Sequence, residues 1–207
     1  MLNGQIILPK RRGRKRDYRE IAIKGSWSVI FVILALIAMR PLMVSQILSR
    51  AEAYADFGLN EDCRRQCNKA LLLDGDNSRA WHQLARIYKA QGNREMAYEA
   101  YHRATEADAA NGPAHFELGL MYVQDEQHQQ AIPYFERVRT LGPDKTKQDR
   151  KDEFVCHKAA LDMLALCYEK VGHATKAEFT LEEIRVFYPA YTGAEARLAQ
   201  LKERNGS

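Results

Sequence analysis

The chain has 207 residues, 46% of them hydrophobic and 28% charged, with a formal net charge of +4. That is room for one or two domains. Residues 1–43 hold nine Lys or Arg against Asp17 and Glu20, so the rest is slightly acidic and the basic balance gives no nucleic-acid footprint.

The first twenty residues form a basic segment, with Lys10 to Arg16 as its densest run. Residues 21–40 are apolar apart from Lys24, two serines and Arg40, and the nineteen from Ile21 to Met39 would reach roughly 28 Å as a helix, close to the hydrocarbon thickness of a bilayer. They are expected to span a membrane, with Trp27, Phe31, Leu34 and Ile37 on the span and Arg40-Pro41 at its exit. Basic residues crowd the N-terminal side, which places that end in the cytoplasm and the remainder across the membrane. A cleaved signal peptide competes, but its nearest small-x-small site, Ala51-Glu52-Ala53, falls inside a helix; an uncleaved signal anchor is the expectation.

From about residue 44 onward the chain repeats. Trp81, Leu84, Ala85 and Tyr88 lie at i, i+3, i+4 and i+7, one stripe of a helix expected to stop near Gly92. Ala97, Tyr101 and Ala104 mark a second helix after a short turn. Adding 34 to this set lands on His115, Leu118, Gly119, Tyr122, Glu126, Ala131, Phe135 and Val138; subtracting 34 lands on Ile47, Arg50, Ala51, Tyr54, Gly58, Cys63, Cys67 and Ala70. A fourth copy, Leu161, Leu164, Ala165, Tyr168, Gly172, Ala177, Leu181, Ile184 and Pro189, is displaced by 80 from the second, twice the period with twelve residues over. Those twelve are the charged stretch 144–155, expected to be a solvated loop or an extension of the next helix. The copies cover about 44–77, 78–111, 112–143 and 156–189. A final amphipathic run, 191–203, suits a capping helix with Ala194, Leu198 and Leu201 inward.

The period and its order of large, small and aromatic residues resemble the tetratricopeptide repeat. The resemblance implies an all-α, right-handed solenoid of helix pairs preceded here by one N-terminal transmembrane helix. It also implies that the first helix of each pair lines a concave groove that binds protein partners. Carried onto this sequence, the groove holds Ser45, Leu48, Glu52, Ala55 and Asp56 in copy one and Arg79, His82, Arg86 and Lys89 in copy two. Copy three offers Phe116, Leu120, Val123 and Gln124, and copy four Asp162, Leu166, Glu169 and Lys170. A basic strip beside an apolar strip fits a partner segment combining acidic and apolar groups.

Other chemistry is not legible. Cys63 and Cys67 stand at packing positions, Cys156 and Cys167 form no metal or haem spacing, and the six histidines form no ligand pair. No nucleophile elbow or phosphate-binding loop is present. An enzyme, a cofactor, a metal and a nucleic-acid partner are therefore not expected. The layout of anchor and repeats is similar to that of bacterial envelope-assembly accessories, which implies an inner-membrane protein with its repeats in the periplasm. The function expected is a membrane-anchored scaffold or adaptor. A permanent subunit of a larger membrane complex, or a regulator presenting substrates to a membrane enzyme, are the alternatives.

Overall fold

A computed structural model describes the backbone of residues 18–142 and 151–205, with side chains for 30–142 and 156–204. The described residues form helices and no strands: α1 (Tyr18–Asp56), α2 (Asn60–Leu73), α3 (Ser78–Ala90), α4 (Arg94–Ala107), α5 (Gly112–Gln124), α6 (His128–Leu141), α7 (Lys151–Val171), α8 (Ala174–Phe187) and α9 (Gly193–Asn205). The chain divides at Met43/Val44 into two units.

In the first unit, the described apolar side chains of α1 are exposed, Phe31 at 66%, Leu34 at 55% and Ile37 at 58%. By length and composition α1 can cross a membrane. Trp27 has no described side chain. Pro41, expected to mark the exit from the span, lies inside α1. A proline removes one N–H and crowds the carbonyl four residues back, and here the helix continues past it, into the first repeat.

From Val44 onward the second unit is an α-solenoid. From α2 to α9 successive helices pack in order, and α5 also reaches α7. Its core is a chain of four clusters, starting with Val44, Leu48, Ala70 and Ala80, then Ala51, Cys63, Cys67, Leu84 and Ile87. The third centres on Tyr101 and Leu118, and the last spans α6 to α9 around Phe135, Leu161, Leu164 and Leu181. Each cluster draws on neighbouring helices, as stacking of short repeats requires. Small residues at Ala85, Ala97 and Ala104, all fully buried, let the helices close up.

The punctuation of each pair is also periodic. Asn77, Asn93 and Asn111 cap α3, α4 and α5, their side chains accepting from the amides of Ala80, Met96 and Ala114 at 3.1, 3.2 and 3.1 Å. The turn between the helices of a pair needs a left-handed residue. Gly58, Gly92 and Gly172 supply it at φ +71°, +74° and +85°, whereas copy three places Glu126 there at φ +60°. Of the charged stretch 144–155, residues 144–150 lie outside the described set, and 151–155 form the first turn of α7, a helical extension.

Copy one departs from the expected stripe. Arg50 stands where Leu84 packs in copy two, and a guanidinium is costly to bury. Arg50 is exposed, and Val44 and Leu48, at 5% and 2% exposure, carry the packing with Ala51.

Candidate partner-binding groove

The inner face is built from α1, α3, α5, α7 and α9, and equivalent positions of the four copies form rows across it. The base row is Leu48, His82, Phe116 and Asp162; the next is Glu52, Arg86, Leu120 and Leu166; a third is Ala55, Lys89, Val123 and Glu169. No base-row residue is exposed: Leu48 is buried outright and the other three are half-buried.

Burial of the base row governs its chemistry. The His82 ring lies 5.8 Å from the ring of the fully buried Tyr101. Desolvation, helped by the neighbouring Arg86 cation, pushes the His82 pKa down to about 4, so the imidazole is neutral at pH 7. Asp162 moves the opposite way, its carboxyl pKa raised by the same desolvation against the pull of Tyr191 and Arg197. Phe116 tilts against Phe135 with ring centroids 6.0 Å apart.

Above that row the basic strip is largely paired. Arg79 meets Glu52 of α1 at 2.5 Å, and Lys89 meets Glu117 of α5 at 2.6 Å. At the far end, Arg197 of α9 pairs with Glu169 of α7 and approaches Asp162 at 3.7 Å. Ion pairs thus tie α3 to both neighbours and α9 to α7. Arg86 is exposed, and its described bond is a long one to Gln83 at 3.3 Å.

Between α5 and α7 the contact is apolar instead. Phe116, Leu120 and Val123 are each half-buried, packed on the cluster shared by α6 to α9, while Gln124 is exposed. The apolar strip is therefore narrower than its sequence spacing implied, because α7 covers one side of it. What sequence reasoning missed is pairing: Glu117 sits one residue from Phe116, and only the stacking of α3 beside α5 brings it to Lys89. Spacing offered one signal, the 28 residues between them, which is close to one repeat.

Cys63, Cys67 and Cys167 are buried free thiols. Cys63 and Cys67 lie side by side on α2, Sγ to Sγ 4.0 Å. Among the described residues no three His, Cys, Asp or Glu side chains gather as a metal site.

Residues 78–111 and 114–149 match models of the tetratricopeptide repeat. The RNA polymerase-associated protein CTR9 of Caenorhabditis elegans is 34% identical over 76 residues, 35% of this chain but 6% of that protein. Among solved structures, YrrB, described as a TPR protein with an unusual peptide-binding site, superposes with a TM-score of 0.62 at 19% identity, over 77% of this chain and 76% of its own. PilF of Pseudomonas aeruginosa gives 0.59 at 16% identity, over 80% and 70%. At such identities the likeness to solved structures is one of fold. The two family matches identify residues 78–111 and 114–149 as tetratricopeptide repeats, a protein-interaction fold, and the helix pairs stacked around them follow the same architecture.

Proposed function

We propose that the chain is a membrane-anchored scaffold that holds a protein segment in its groove and so organises an assembly at the membrane, without catalysis of its own. Residues 21–40 act as an uncleaved signal anchor, residues 1–20 stay in the cytoplasm, and the repeats, 44–203, work on the far side, in the periplasm of a bacterium. The carrying observation is that exposed Arg86 shares its row of the inner face with half-buried Leu120, while half-buried Val123 follows in the next row. A carboxylate of the partner would find Arg86, while its apolar side chains would settle on Phe116, Leu120 and Val123. Arg79 and Lys89, already engaged by Glu52 and Glu117, would tune the rim, with His82 and Gln124 flanking the contact.

Crosslinking and pulldown from native membranes tests the groove. Arg86→Glu, at an exposed position, should strip the captured partner while leaving the helical CD spectrum unchanged, and Leu120→Glu should do the same. Capture that survives both substitutions would remove the groove from consideration. Topology reporters fused after residues 10 and 207 test the orientation; a cytoplasmic signal from the C-terminal fusion refutes it.

A further inference from the structure

Copy one differs from the other three in its second helix. At one inward position the copies carry Cys63, Ala97, Ala131 and Ala177, and four residues on they carry Cys67, Tyr101, Phe135 and Leu181. Where three copies fill the space between their helices with a large side chain, copy one presents a second sulfur. Both cysteines are 0% exposed, with their Sγ atoms 4.0 Å apart. Tyr54, Leu71, Trp81 and Tyr88 pack against the cluster that contains them.

Two chemistries suit a pair of close thiols, and the helix separates them. A disulfide needs Cβ atoms about 3.5–4.5 Å apart, while residues four apart on a helix have theirs about 5–6 Å apart. Direct oxidation would therefore have to unwind α2. An atom inserted between the sulfurs has no such requirement. Thiolates hold d10 metal ions at about 2.3 Å, so two sulfurs flanking one ion at an angle between 120° and 180° stand roughly 4.0 to 4.6 Å apart. The observed spacing already falls at the lower end of that range.

We propose that Cys63 and Cys67 form a two-coordinate site for a soft monovalent d10 cation, Cu(I) or its analogue Ag(I). Thiolates select such ions, and a two-coordinate ion does not require the third and fourth ligands that zinc would demand. Binding replaces two S–H bonds with two S–metal bonds and sends two protons to solvent, leaving a bis-thiolate centre of charge −1. Arg86 of the adjacent α3 lies near enough to Cys63 to offset part of that charge, against the opposing carboxylate of Glu52 on α1. Because both sulfurs are enclosed, the ion enters through local opening of α2 from α1 and α3, and loading is slow.

The test uses the full chain, reduced and in mild detergent, incubated with Ag(I) or Cu(I) under anaerobic conditions and then passed over a chelating resin. One ion should remain per chain. Cys63→Ser and Cys67→Ser should each abolish retention with unchanged helical CD, whereas the double variant Cys156→Ser, Cys167→Ser should keep it. X-ray absorption of the copper form should show two sulfur neighbours and no nitrogen. Retention that survives loss of Cys63 and Cys67, a coordination number of three or more, or tighter retention of Zn(II) would each overturn the assignment; so would the absence of any retained ion after prolonged loading.

Discussion

Gly119 offers a test in which the sign of an effect, and not only its size, follows from geometry. A Cβ placed on Gly119 would lie 2.8, 2.9 and 3.1 Å from three carbons of the Phe135 ring, which is itself 0% exposed. Replacing glycine with alanine inside a helix favours folding by about 0.8–1 kcal/mol. Forcing an extra methyl into a packed core costs about 1–3 kcal/mol. Gly119→Ala should thus destabilise the protein by about 1 kcal/mol. With Phe135→Leu in place the ring carbons are gone, the clash term disappears, and the same Gly119→Ala change should stabilise by nearly the full propensity gain. Copy four carries that pair naturally, with Ala165 and Leu181 at the equivalent positions, both fully buried. Urea unfolding of the full chain in mild detergent, followed by helical ellipticity, measures the four members of the cycle. A Gly119→Ala effect of the same sign in both backgrounds would refute the packing argument.

Three further outcomes follow from single residues. Glu126 holds a left-handed backbone where three other copies use glycine; Glu126→Gly should raise stability by about 1 kcal/mol, the strain relieved less the entropy glycine adds to the unfolded chain, and an unchanged or lowered urea midpoint would contradict it. Ser78 Oγ donates to the Ala104 carbonyl at 2.7 Å and accepts from Asn111 Nδ2 at 2.7 Å, joining α3, α4 and the cap of α5; Ser78→Ala should cost about 1 kcal/mol, since Asn111 Nδ2 loses this acceptor while the Ala104 carbonyl keeps the Asp108 amide, and a loss below measurement error in the same urea assay would show that water replaces the hydroxyl. His82 has its folded pKa at about 4, below an unfolded value of about 6.5, so the folded state binds fewer protons between the two. The stability its neutral form confers is present above pH 6.5 and is lost as pH falls toward 4. The urea midpoint should drop across that window, and His82→Gln should flatten the drop; equal slopes for the two proteins would reject the assignment.

The architecture was legible because packing in a repeat is local. Trp81, Leu84, Ala85 and Tyr88 declare their helix by spacing alone, and copies 34 residues apart then declare the stack. Where the sequence misled, a long-range neighbour had the deciding vote. Leu48 reads as a groove residue only if Arg50 packs; once the guanidinium turns to solvent, the helix presents a different stripe to Ala70 and Ala80. The groove suffered most, since its electrostatics belong to no single copy. Arg79 and Lys89 look like free cations in their own helix, and each finds its carboxylate on a different one. A row of charges along one repeat is thus poor evidence for the charge of a partner, because in a solenoid the first counter-ion available to each helix is the next helix. The position whose charge best survives that pairing is Arg86, so specificity for an acidic group should rest mainly on one residue and not on a strip.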